Sequence, residues 1–143
     1  MKERGAAGAG LLSYALYAHD GAPLALGQAV PAGYVRLNNV GSTIDRAARG
    51  TAKLTIGAWT HIATTYDGTT QSFYVNGVLV GTSNPVVAGS LNTIAVSNGA
   101  LRIGGDASST GEFFNGMIDE VRVYNRALSV AEIQADMTTP IVR

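Results

Sequence analysis

The Asn-Gly dipeptide formed by Asn76 and Gly77 limits the folds open to this chain more than any other feature. It separates two short apolar runs, residues 72–75 and 78–81. Both residue types accept the positive φ that a type I′ turn requires, and that turn matches the twist of two paired strands. The sequence therefore predicts an antiparallel hairpin here and a β-fold around it.

Other runs rich in β-branched and aromatic residues end at turn-forming glycines, and they predict further strands. These strands are expected at residues 13–19, 23–27, 33–38, 52–56, 59–66, 100–104 and 116–124. The polar, small residues between 38 and 50 predict a long loop. One helix is predicted at residues 128–137, because Ser129 and Glu132 have the spacing of a capping box. About nine strands and one short C-terminal helix predict an all-β antiparallel sandwich of the jelly-roll kind.

The charge and composition of the chain limit the classes of partner that it is expected to bind. The chain has 143 residues, with ten Lys and Arg balanced by ten Asp and Glu. Phosphate-binding surfaces need a cationic excess, so the balance argues against nucleic acid. No apolar run reaches the length that spans a bilayer, and cysteine is absent. The Gly- and Ala-rich residues 1–10 predict a flexible tail, which leaves residues 11–143 as a single domain.

Five motifs follow one another in the second half of the chain. They are GAWTHIA at residues 57–63, YDG at 66–68, FYVNG at 73–77, LRIGG at 101–105 and FNGMIDEVRVYNRALS at 114–129. In this order and spacing they resemble the concanavalin A-like, laminin-G-like jelly-roll domains. Residues 11–38 fit the family only loosely. Family members usually have additional strands at the front, so the resemblance implies open sheet edges in this chain. Two interpretations stay open: the chain is a truncated member of the family, or a second copy supplies the missing edge. Open edges invite association, so a homodimer is one of the two predictions.

The resemblance also raises the question of calcium at Asp119, because an aspartate here often lies in or near a structural calcium site of the family. Strand alternation places Asp119 on the same face as Val121 and Val123, which would point it into the core. A buried carboxylate must be hydrogen-bonded, paired or bound to metal. Two interpretations stay open, a Ca²⁺ ligand and a carboxylate that caps backbone donors of a neighbouring loop. Calcium takes six to eight oxygens, more than one aspartate supplies.

Candidate ligand-binding residues fall in two places. Tyr17 and Tyr34, in the loosely matched region, are predicted to lie on an exposed binding face. Trp59 is interpreted as a core residue at the start of a strand rather than as a platform for a sugar ring. A glycine-rich surface loop is predicted at residues 104–112. Its side chains with hydrogen-bonding capacity toward glycan hydroxyls are Asp106, Ser108 and Thr110.

Catalysis is not expected from this chain. Glycosidases of the wider superfamily place two carboxylates on either side of the scissile bond. Asp119 and Glu120 are adjacent in sequence, so in a strand they point to opposite faces. The leading hypothesis is a non-catalytic, lectin-like module that binds carbohydrate, or a glycosylated or cell-surface protein. The alternative is a structural or self-association domain without a small ligand. An extracellular or cell-surface location follows from the resemblance alone.

Overall fold

Eight strands and one helix make up the part of the chain that the computed structural model describes, namely residues 2–3, 12–20, 29–40, 42–84, 90–105 and 113–142. The strands form two antiparallel sheets, one of five strands and one of three. In chain order they are β1 (Lys2–Glu3), β2 (Leu12–Asp20), β3 (Val30–Asn39), β4 (Ser42–Arg49), β5 (Ile62–Tyr66), β6 (Gln71–Val75), β7 (Val78–Ser83) and β8 (Ser90–Ile94), followed by α1 (Val130–Thr138). The predicted antiparallel β-sandwich is confirmed.

Strand β3 is the centre of the large sheet. Its whole length pairs with β4 on one side, from Ala32 opposite Arg49 to Asn39 opposite Ser42. On its other side β2 pairs with the first half of the strand and β8 with the second half. The apolar side chains of β3 that face the small sheet are among the most buried of those described, and Leu37 has no exposed surface.

The small sheet is built from β5, β6 and β7, and the predicted hairpin joins the last two. Asn76 has a φ of 49° and Gly77 a φ of 72°, as a type I′ turn requires. The Asp-Gly turn before β6 is held by Asp67, whose Oδ1 accepts hydrogen bonds from the backbone N–H groups of Thr69 and Thr70 at 2.8 and 2.7 Å. These backbone donors stabilise the ionised carboxyl and lower the pKa of Asp67.

The two sheets meet at Gly33 on β3 and Thr64 on β5. A Cβ added to Gly33 would lie 2.3 Å from the Thr64 Oγ1 atom, so only glycine fits here. Beside this contact the fully buried Gln71 donates from Nε2 to the Gly33 carbonyl at 2.8 Å. A polar side chain thus connects the sheets within a core that also holds Phe73 and Leu37.

Helix α1 begins as the sequence predicts. Ser129 caps it, its hydroxyl accepting from the Glu132 N–H while the Glu132 carboxylate accepts from the Ser129 N–H. The salt bridge to Arg126, with the Ser129 donors, lowers the pKa of Glu132 to about 2. Ile133 is buried, and Gln134 Nε2 donates to the Gly77 carbonyl at 3.1 Å. The helix therefore packs on the turn of the β6–β7 hairpin.

Several strand predictions were wrong. The expected loop between residues 38 and 50 contains β4, because residues 42–49 pair with β3 over their full length. Strand β8 was missed altogether. Residues 52–56 and 116–124 are not strands, and near residue 100 only Leu101 makes an isolated bridge. Within the described residues no neighbouring strand pairs with these segments. Residues 23–27 lie outside the described part.

Two further expectations, for Trp59 and for the N-terminal residues, differ from the structure. Trp59 was expected in the core but is 66% exposed, since β5 begins only at Ile62. Lys2 and Glu3, in the segment expected to be a flexible tail, pair with β2 at Tyr14 and Leu12. The division into tail and domain otherwise stays a prediction, as residues 4–11 are outside the described part.

The packing of α1 on the hairpin turn can be tested with two glycines of positive φ. Gly57→Ala places its Cβ in open space, whereas Gly77→Ala places it 2.8 Å from the Gln134 Cγ atom. Both changes carry the left-handed backbone cost of about 1 kcal/mol, and Gly77→Ala adds overpacking of about 1 kcal/mol. We expect urea unfolding to show the larger loss for Gly77→Ala. Equal losses would mean that the helix does not press on the turn.

Candidate functional site

The large sheet has one face turned away from the small sheet, here called the outer face. Residues directly opposite each other in an antiparallel pair share a face, so the register of β2, β3 and β4 fixes its composition. Gly33, Val35 and Leu37 point toward the small sheet, and the alternate residues of β3 point outward. The larger side chains of the outer face are Tyr17, Tyr34, Arg36, Asn38, Thr43, Asp45 and Arg49.

Three of these side chains form a cluster, each from a different strand. The rings of Tyr17 and Tyr34 meet edge to face, with centroids 5.6 Å apart and planes at 85°. The Arg49 Cζ atom lies 5.4 Å from the centre of the Tyr34 ring, and Arg49 Nη2 donates to the Tyr34 hydroxyl at 2.7 Å. Small residues make room for the cluster, because Tyr34 lies opposite alanines on both neighbouring strands. The structure therefore brings together the two tyrosines that the sequence singled out.

Further along β3 the outer face is polar. Arg36 Nη1 donates to both carboxylate oxygens of Asp45, at 3.0 and 2.9 Å, and Arg36 Nε donates to the Thr43 hydroxyl at 2.7 Å. Asn38 Nδ2 donates to the Thr93 hydroxyl of β8 at 3.0 Å. The guanidinium side chain of Arg36 is 12% exposed and that of Asp45 is 47% exposed. The Asp45 carboxylate is thus held in place while solvent still reaches it.

The sequence does not predict Arg36, Asp45 and Arg49 as members of a site, because the residues of β4 lie in the predicted loop. A signal was present. Asn39 and Gly41 are turn-forming residue types, and Arg36 and Asp45 carry opposite charges four positions before Val40 and four positions after Gly41. Opposite charges in mirrored positions around a turn indicate a cross-strand ion pair.

Asp119 does not lie where strand alternation placed it. The segment around it is not a strand, and Asp119 and both valines are exposed, so the inward orientation was wrong. Its Oδ1 accepts from the N–H of Glu120 at 2.9 Å. It borders a shallow cavity of about 270 Å³ lined by Ile103, Ile118, Asp119, Glu120, Val121 and Ile141.

Calcium binding at Asp119 stays a prediction. The nearby Glu120 carboxylate is taken up by the Arg122 guanidinium and the Ile141 N–H. No group of three His, Cys, Asp or Glu residues in the described part of the chain could hold a metal ion. Calcium requires six to eight oxygens. Asp106, Ser108 and Thr110 lie outside the described residues, and their role in ligand binding stays a prediction.

A second polar cluster surrounds Asp136 at the end of α1. Arg122 Nη1 binds Asp136 Oδ1 at 3.0 Å, and the Tyr124 hydroxyl donates to Asp136 Oδ2 at 2.5 Å. Arg122 also donates to the Thr139 carbonyl. His61 lies close enough to this cluster for the charges of Asp136 and Arg122 to affect its pKa. Burial lowers the pKa of His61; Asp136 opposes that shift and Arg122 adds to it. This cluster ties residues 120–124 to the helix.

The environment of His61 predicts how stability depends on pH. Its pKa in the folded chain is below the usual 6.5, so near that pH the unfolded chain binds a proton that the folded chain does not. Stability should therefore fall as the pH drops through about 6.5 and level off below the folded pKa. We expect His61→Gln to flatten this slope in urea titrations, and His19→Gln, at an exposed position of β2, to keep it. An unchanged slope in His61→Gln would contradict this origin.

Comparison with known proteins agrees with the sandwich. A laminin G family model, described as the concanavalin A-like lectin/glucanases superfamily, matches residues 9–134. Pappalysin-1 of Mus musculus is 35% identical over 83 residues, and that of Homo sapiens is 34% identical over 83 residues. Each match covers 58% of this chain, and the chain spans only 5% of those relatives.

A solved structure of residues 221–444 of an S-layer domain-containing protein from Clostridium thermocellum aligns with a TM-score of 0.46 and 23% identity. The alignment covers 76% of this chain and 55% of that one. None of the described helices is long and apolar enough to span a membrane. With its two antiparallel sheets, its C-terminal helix and a family match over most of its length, this chain belongs to the laminin-G-like domains of the concanavalin A-like lectin/glucanase superfamily, which are often binding modules.

Proposed function

We propose that this domain is a non-catalytic binding module and that it binds carbohydrate on the outer face of its large sheet. The observation that supports this most is the cluster of Tyr17, Tyr34 and Arg49 on three paired strands. A sugar ring presents apolar C–H groups on its faces and hydroxyls around its rim. Binding it takes an aromatic surface with hydrogen-bonding groups beside it, and the outer face offers both.

The cluster is preorganised, which favours binding. Tyr34 is fixed by the edge of the Tyr17 ring and by the hydrogen bond from Arg49, so its ring loses little freedom when a ligand arrives. Asp45 is likewise fixed by Arg36, and its exposed carboxylate is an acceptor for sugar hydroxyls. Along β3 the face runs from aromatic at Tyr17, opposite Ala32, to polar at Asn38. The six residue steps from Ala32 to Asn38 span about 20 Å of strand, which leaves room for an oligosaccharide.

The same face lacks the arrangement that hydrolysis needs. Glycosidases use two carboxylates about 5–5.5 Å or about 6.5–9.5 Å apart. Both oxygens of the Asp45 carboxylate on the outer face accept from Arg36, and no second carboxylate stands beside it among the described side chains of β3 and β4 on this face. We infer a binding role without turnover. A place outside the cell or at its surface fits such a role and the family, and we include it in the proposal.

A glycan array followed by calorimetry on the best ligand tests this proposal. Tyr34→Ala and Tyr17→Ala should each weaken binding about tenfold, which corresponds to about 1.4 kcal/mol. Tyr34→Phe keeps the ring and removes the hydroxyl that Arg49 binds, so it should lose less. Trp59→Ala is the matched control, because Trp59 is an exposed aromatic away from the sheet.

Two results would contradict the outer face as the site. One is a wild-type domain that binds no glycan at all. The other is a loss of binding in Trp59→Ala with full binding in both tyrosine variants. The second result would move the binding surface to the loop before β5.

The alternative function, self-association, also has an observation in its favour. Large apolar side chains are exposed throughout residues 113–124, including Phe113 at 70% and Met117 at 74%. Contiguous apolar surface of this kind marks interaction sites in soluble proteins. None of these residues belongs to the outer face, so a domain that binds a glycan through one set of residues and a protein through the other is consistent with both observations.

A further inference from the structure

Residues 113–124, here called the open segment, have the sequence of a strand without being one. Valine, isoleucine and aromatic residues are concentrated in it, yet none of its residues belongs to a sheet. Exposed side chains occur at both odd and even positions, so neither face of the segment is covered. The exposed apolar members are Phe113, Phe114, Met117, Ile118, Val121, Val123 and Tyr124.

The backbone of the open segment is also available for pairing. Within the described residues, two of its N–H groups have a partner: Phe114 donates to the Gly104 carbonyl at 3.0 Å, and Glu120 donates to Asp119 Oδ1 at 2.9 Å. Glu120 has a φ of 52°, in the left-handed region that residues other than glycine rarely adopt. Conversion of the segment into a strand would satisfy its donors and relieve this conformation.

We propose that the open segment pairs antiparallel with the same segment of a second copy of this chain, around a two-fold axis at Val121. Each copy then supplies the ladder partner that the other lacks. The inference is independent of carbohydrate binding, because it uses a different surface and different residues.

Charge favours this register over those centred on the neighbouring charged residues. In an antiparallel pair of identical strands related by a two-fold axis, directly opposite residues point to the same side of the sheet. The axis must therefore pass through a residue position rather than between two residues. Axes at Asp119, Glu120 or Arg122 would put that charged residue opposite its own copy, which is destabilising. An axis at Val121 instead puts Glu120 opposite the Arg122 of the second copy, twice, so that these pairs replace the ion pair that the two residues form within each chain.

Two of the remaining pairs of this register are favourable as well, whereas Asp119 lies opposite Val123. Val121 lies opposite its own copy, and Ile118 lies opposite Tyr124, an aromatic and β-branched pair of the kind that stabilises sheets. Arg122 and Tyr124 are already anchored to Asp136 of helix α1. This anchoring orders half of the segment before the second copy arrives and lowers the entropy cost of pairing.

Light scattering on a size-exclusion column measures the assembly directly. We expect the wild-type chain to elute at twice its 14.7 kDa mass. Glu120→Arg and Arg122→Glu each place like charges opposite one another, so each variant alone should dissociate at least tenfold more readily. An equimolar mixture of the two variants restores both opposite-charge pairs and should form a heterodimer. Lys53→Glu, a charge reversal at an exposed position outside the segment, should remain dimeric.

Hydrogen exchange on the same samples identifies what covers the segment. In the dimer the amides of residues 116–124 should be protected, and each single variant should lose that protection while circular dichroism shows an intact fold. A wild-type monomer overturns the proposal, and protected amides in that monomer would mean that the chain covers the segment itself. Single variants that stay dimeric, or a mixture that forms no heterodimer, also overturn it.

Discussion

The close approach of the two sheets at Gly33 and Thr64 is the contact on which the rest of the structure depends. Sheets that pack face to face usually lie about 10 Å apart with side chains between them. Here β3 presents no side chain at Gly33, and a Cβ at that position would meet the Thr64 hydroxyl at 2.3 Å. Gln71 uses the same space to bind the Gly33 carbonyl from the small sheet. The hydrogen bond of this buried amide is directional, so it fixes the position of one sheet on the other in a way that apolar contacts alone would not.

The orientation of β3 at this contact decides what the outer face carries. With Gly33, Val35 and Leu37 turned toward the small sheet, the residues between them must point to solvent. The register with β2 and β4 then brings the aromatic cluster together and places Asp45 beside Arg36. The proposed binding surface is thus a consequence of the core rather than of loop placement, which suits a surface that must stay rigid.

Local signals in the sequence were sufficient for some elements and not for others. The turn at Asn76 and Gly77 and the cap at Ser129 depend on neighbouring residues only, so the sequence alone predicted both. Strand β8 depends on β3, more than fifty residues away, and no local pattern reports that pairing. The open segment shows the converse: its residues alternate like a strand, but a strand exists only where a partner donates and accepts. Tyr17 and Tyr34 could be selected as candidates from their residue type and local surroundings. Arg49 could not, because its place in the cluster depends on the pairing of β4 with β3.

The contact between Gln134 and Gly77 has a consequence for the order of folding. The β6–β7 hairpin closes through neighbouring residues, while the helix that packs on its turn lies 57 positions further along the chain. Contacts between distant residues form slowly, because the intervening loop must first close. During synthesis the residues of the hairpin therefore emerge 57 positions before the helix residue that covers their turn. The nascent chain carries an uncovered turn until the last part of the domain leaves the ribosome.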